Sequence, residues 1–120
     1  MKRHLLLPLL ACATMALTPS DGAFVAQTRA AMTTMMTAMD VHPTGDADED
    51  FVAMMVPHHQ GAIDMAEAEI CYGRNDRLKR LAQEIIVTQE QEIAAMRLAL
   101  GQPISSPVST QPSKDCEAKS

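Results

Sequence analysis

The chain predicts an all-α protein, a small up-down-up bundle of three helices. Apolar residues recur at helical spacing over three stretches, residues 23–40, 51–72 and 76–100. Short segments carrying Gly, Pro, Asn and Asp separate them, and short connections make successive helices antiparallel neighbours. A length of 120 residues with 47% hydrophobic content suits one small domain with a packed core. Aromatics are only 2%, and 10 methionines partly take their place. The formal net charge of -5, with no basic stripe, argues against a phosphate-binding surface and so against nucleic acid as a partner.

Residues 1–22 read as a secretory signal, followed by a Met/His-rich helical domain over 23–100. Lys2, Arg3 and His4 make a positive start, and residues 5–17 make an apolar run too short to span a membrane. Cleavage fits Ala11-Cys12-Ala13 and also Ser20-Asp21-Gly22. The expected location is periplasmic or secreted. Leu9-Leu10-Ala11-Cys12 also resembles a lipoprotein box, so anchorage at Cys12 is the alternative.

Within 23–40, Val25, Thr28, Met32, Met35, Met36 and Met39 form one stripe. A methionine stripe is usually core, yet leucine fills a core with better-defined rotamers. Four methionines in eight residues therefore call for a further reason. Residues 41–47 are a turn containing His42, Pro43 and Gly45, where His42 is either solvated or an auxiliary ligand near Met39. Asp46, Asp48, Glu49 and Asp50 supply a cap and negative charge for the next helix. They lack the spacing of a calcium loop.

The stretch 51–72 holds the unusual chemistry. At about 100° per residue, Phe51, Met54, Met55, His58, Ala62, Met65 and Glu69 share a face, which is expected to be buried. Gln60, Asp64 and Glu67 lie roughly opposite, on the expected solvent side. Met54 stacks on His58 and Met55 on His59, each pair four residues apart. Pro57 cannot donate to Ala53, so a kink is expected there, narrowing the divergence of the two histidines. Gly73 ends this helix and Asn75 caps the third. In the third, Leu78, Leu81, Ile85, Ile93, Met96 and Leu100 mark the buried side, shared with polar Gln89 and Glu92. Polar groups on such a side need partners. The tail, 101–120, is rich in Pro and Ser and too poor in apolar surface to order itself.

Folding the second and third helices about residues 73–75 sets His58 and His59 level with Gln89 and Glu92, and Met55 near Ile93 and Met96. Folding the first two about Thr44 sets Met32 near His58 and Met35 near Met54. Thioether and imidazole together suit Cu(I), whereas zinc favours Cys, His and carboxylate. The candidate metal ligands are thus His58, His59, Met54, Met55, Met65, Met32, Met35, Met36, Met39 and Met96. Gln89 or Glu92 would hold a histidine's second nitrogen. Cys71 and Cys116 lie apart from this set and either pair or stay free thiols.

At these residues the chain resembles the domain-of-unknown-function 305 family, which includes the CopM-like periplasmic copper-binding proteins. Asp50, Phe51, Met54, Met55, the Pro57-His58-His59-Gln60 run, Ala62, Ile63, Asp64, Met65 and Ala66 carry the resemblance, with Gln89, Glu92, Ile93 and Met96 later and the methionines of 32–39 earlier. The resemblance implies a ferritin-like helical fold, an extracytoplasmic location and a Cu(I)-binding role in copper resistance. Longer relatives have more helices and further Met/His clusters, whereas this chain has one core.

Three functions compete. The leading expectation is a non-enzymatic protein that sequesters or carries Cu(I), passing it to a copper-receiving protein. The second is a ferritin-like oxidase, which needs Glu-x-x-His motifs that do not occur here. The third is an interaction module whose Met-rich face is a homodimer or partner surface.

Overall fold

Each of the three expected stretches is a helix: α1 (Pro19–Ala38), α2 (Ala47–Tyr72) and α3 (Asp76–Ala99). The structure, a computed structural model, describes residues 19–104. Most of the expected leader, nearly all of the expected tail, and both Cys12 and Cys116 lie outside the described residues.

The helix ends follow from local chemistry. Asp46 caps α2, its carboxylate accepting from the amides of Asp48 at 2.9 Å and Glu49 at 3.2 Å. Asn75 caps α3 in the same way, accepting from Arg77 at 2.9 Å and Leu78 at 3.3 Å. Gly101, at φ +68, lets the chain turn back after α3. Its amide donates to Leu98 at 3.0 Å, and that of Gln102 donates to Arg97 at 2.9 Å. Gly73 ends α2 differently. Its φ of -64 suits any residue. The glycine is needed because a Cβ would lie 2.5 Å from the Glu69 carbonyl oxygen, which cannot move aside as the tip of the Glu69 side chain can. At the other end, α1 starts at Pro19, four residues before the expected start at 23, and proline fits a first turn.

Two contacts fix the topology. Met35 of α1 lies so close to Gly61 of α2 that a Cβ there would sit 2.6 Å from its Sδ. On the other side, His59 of α2 meets Glu92 of α3 at 2.9 Å. Gly61 and Ala68 point one way from the α2 axis, and Val52, His59, Ile63 and Ala66 point about half a turn away. So α2 is clasped from opposite sides, and α1 and α3 barely touch each other. Asp21, near the start of α1, reaches Arg74 beyond the end of α2 at 3.1 Å, as antiparallel order requires.

This open arrangement makes a thin core. Ala31, Val52, Ile63, Ala66, Ala68, Ala82 and Ile93 are the buried apolar residues, and among the described residues no large side chain is fully enclosed. Three expectations are corrected by it. The buried face of α2 is not that of Phe51, Met54 and His58, for Phe51 is 53% exposed, Met54 is 40% exposed and His58 is exposed. A wheel alone assigns one inward side, whereas a central helix has two. Leu78 and Leu81, expected on the buried side of α3, are about half exposed because α3 packs on α2 and barely touches α1. Finally, Met35 sits on Gly61, nearly two turns beyond the level of Met54 where it was expected. Residues 39–46 are not a tight hairpin, so the first turns of α2 run past the end of α1.

Candidate metal centre

The two histidines of α2 have different surroundings. His59 is buried, and both of its ring nitrogens are engaged. Nδ1 lies 2.8 Å from the carbonyl oxygen of Met55, four residues back. Nε2 lies 2.9 Å from Oε2 of Glu92, the same oxygen that accepts from Nε2 of Gln89 at 3.2 Å. Gln89 and Glu92 thus stand level with the histidine pair, as the fold about residues 73–75 predicts. His58 is exposed and makes no hydrogen bond among the described residues; its ring centroid is 6.0 Å from that of His59, edge to face at 65°. α2 is one helix through Pro57, and the two rings diverge, His59 inward and His58 outward.

The methionines also separate. Met35 is a packing residue, its Cβ, Cγ and Sδ all lying against Gly61. Met32 and Met36 are 50% and 62% exposed, beyond what a core residue shows. Met39, Met55, Met65 and Met96 are half-buried. Handedness decides which side the outer ones occupy. With α1 and α3 antiparallel to α2, helical phase turns Val25, Met32 and Met36 to the broad side that carries Phe51, Met54, Met55, His58 and Met65. The same phase brings Leu78, Leu81, Ile85, Glu92 and Met96 of α3 to that side. Gln60, Asp64 and Glu67 occupy the reverse side, where Gln60 donates to Asp64 at 2.9 Å. The soft donors therefore share a shallow, open trough whose floor is α2. His42 is exposed in the loop before α2.

Among the described residues, no group of three or more His, Cys, Asp or Glu is placed to hold a metal ion. Cys71 is disulfide-bonded and is therefore no metal-binding thiolate; its expected partner, Cys116, lies outside the described residues. No described helix is long and apolar enough to cross a membrane. A cleft of about 320 Å³ opens at the opposite end of the molecule, lined by Asp21, Phe24, Tyr72 and Arg74 among others. Its cation, Arg74, is already paired with Asp21.

Two features near the trough escape a reading of the sequence. Gly61 seats Met35, and its only signal is a glycine inside a helical pattern, which marks a close approach without naming the partner. Asp50, read above only as helix-start charge, accepts from the amide of Thr44 at 2.7 Å and from its hydroxyl at 2.8 Å. Those hydrogen bonds hold its carboxyl below the usual carboxylate range, the backbone one contributing most.

Comparison with known proteins gives three results. An uncharacterized protein of Acanthamoeba polyphaga mimivirus, L153, is 36% identical over 53 residues, which is 44% of this chain and 35% of that protein. No solved structure matches significantly. A family model matches residues 13–100, taking in all three helices and the Pro57-His58-His59-Gln60 run, and so the chain belongs to the family described as Domain of unknown function (DUF305).

Proposed function

We propose that this is an exported protein that binds Cu(I) through thioether and imidazole donors, sequestering or carrying it for copper homeostasis rather than catalysing a reaction. The observation that carries the reading is the gathering of Met32, Met36, Met54, Met55, Met65, Met96 and His58 on one broad side. Methionine suits a core when enclosed, but exposed methionines bury little and need another purpose. The donor set is soft to borderline, as Cu(I) prefers. Thioethers also resist the disulfide formation that disables thiolates in an oxidising compartment, which fits the charged start and apolar run of residues 2–17.

Thermal unfolding with added metal tests the reading. A metal that binds only the folded chain at 100 times its Kd stabilises it by about 2.7 kcal/mol. For a domain of this size that raises Tm by roughly 10–20 °C. The expected order is a large shift with anaerobic Cu(I) or with Ag(I) and little with Zn(II). Equal shifts with Zn(II) and none with Ag(I) would reject it.

One observation favours a second reading, an interaction module. Val25, Met32, Met36, Phe51, Met54, Leu78 and Leu81, all at least 38% exposed, lie on that same side. Contiguous exposed apolar surface marks interaction sites. Sedimentation of the metal-free chain separates the two readings: a stable homodimer indifferent to Ag(I) supports the module, and a monomer that takes up Ag(I) supports the binding protein.

A further inference from the structure

Resting on the copper reading, we infer that the histidine pair is divided by role: His58 with Met54 ligates the metal, and His59 is a positioning residue that never does. Metal coordination needs a free lone pair on a ring nitrogen. His59 has none to offer in this arrangement. Its Nδ1 is occupied by the Met55 carbonyl at 2.8 Å, and its Nε2 by Glu92 at 2.9 Å, through an oxygen that Gln89 also holds. A metal at either nitrogen would have to break one of these contacts and enter a ring that is 9% exposed. His58 meets neither obstacle, being exposed and without a hydrogen bond among the described residues.

The same contacts give His59 a different task. It joins α2 to α3 at one level, and its bond to Met55 ties its ring to the preceding turn of α2. That fixes the rotation of α2 about its axis at this level. Residue 58 is thereby turned outward beside Met54, which is four residues back and 40% exposed. By register, Met36 of α1, one residue beyond the Met35–Gly61 contact, lies near the same level. His59 thus acts through His58.

The test uses Ag(I) or anaerobic Cu(I) with the full chain, following the imidazole nitrogens by long-range proton–nitrogen NMR and affinity by competition with a chelator. The expected result is that metal moves the ring nitrogens of His58 and leaves those of His59 in place. His58→Ala should weaken binding at least about tenfold, near 1.4 kcal/mol, with Tm of the metal-free protein little changed. His59→Gln should lower Tm and, by loosening the turn that holds His58, weaken binding about threefold, less than the loss of a ligand. Glu92→Gln covers the case in which His59→Gln fails to fold, and it too should leave affinity within about threefold. A metal-induced shift at His59, or tenfold loss from either Glu92→Gln or His59→Gln with His58→Ala silent, overturns the division while leaving the copper reading standing. Absence of any Cu(I) or Ag(I) binding by the wild-type chain rejects the copper reading itself, and the division falls with it.

Discussion

Met35 and Gly61 meet where α1 crosses α2, and the contact sets the register of the two helices. A glycine inside a helix costs about 1 kcal/mol relative to alanine, so the position would ordinarily favour substitution. Here a Cβ would lie 2.6 Å from Sδ, 2.8 Å from Cβ and 2.9 Å from Cγ of Met35. Two of those atoms belong to the stem of the side chain, so a rotamer change cannot clear all three. Overpacking of this kind costs about 1–3 kcal/mol, which outweighs the propensity gain. Gly61→Ala is therefore expected to destabilise by about 1 kcal/mol and lower Tm by about 4–8 °C. In a Met35→Ala background, which removes Sδ and Cγ but keeps the Cβ at 2.8 Å, the same change should cost less. Thermal unfolding of the four proteins checks it, and an unconditional gain from Gly61→Ala would show that the helices do not cross at this point.

At the scale of the element, the loop before α2 is held by a carboxylate. Asp46 caps the helix while Asp50, one turn later, reaches back to Thr44. Gly45, at φ +92, makes the turn that this closure needs. Because its folded pKa lies below the ordinary value of about 3.9, Asp50 adds stability that is fully present above that value. This contribution is lost as pH falls from about 4 through the folded pKa. Asp50→Asn should lower stability at neutral pH and flatten the acid limb of the stability curve below about pH 4. Chemical denaturation from pH 7 to pH 2 measures this, and identical acid limbs for both proteins would contradict it. The acidic run at 46–50 announced a helix start from its residue types alone. Which carboxylate caps and which clasps the loop depends on backbone geometry that composition does not hold.

At the scale of the molecule, the thin core is the controlling fact. A small domain whose buried apolar residues, among the described ones, are four alanines, two isoleucines and one valine gains little from burial and gains much from a covalent constraint. Cys71, near the end of α2, is disulfide-bonded. Such a bond contributes about 2–4 kcal/mol by constraining the unfolded chain. Cys71→Ser should accordingly lower Tm by at least about 8 °C, and reductant should do the same to the wild-type chain. Ag(I) affinity should be unchanged in the variant, because the bonded sulfur is no ligand. Loss of metal binding on Cys71→Ser would place Cys71 in the site.

The sequence by itself determined the three helices, the cap at Asn75 and an acidic cap within 46–50, the antiparallel order and the level at which His59 meets Glu92. These are local or nearly local matters: caps and helical periods act within a turn, and a three-residue connection leaves the register of α2 and α3 little freedom. Only the tertiary structure decided which side of α2 is buried. A helix flanked on opposite sides has two inward stripes, and one period in the sequence cannot say which of its faces stays open. That choice turned the Met54 and His58 face outward and drew His59 inward. It also set Met35 against Gly61 and left Met32 and Met36 in the open. Whether a histidine has a free lone pair depends on atoms 33 residues away in α3, and that is information only the folded chain contains.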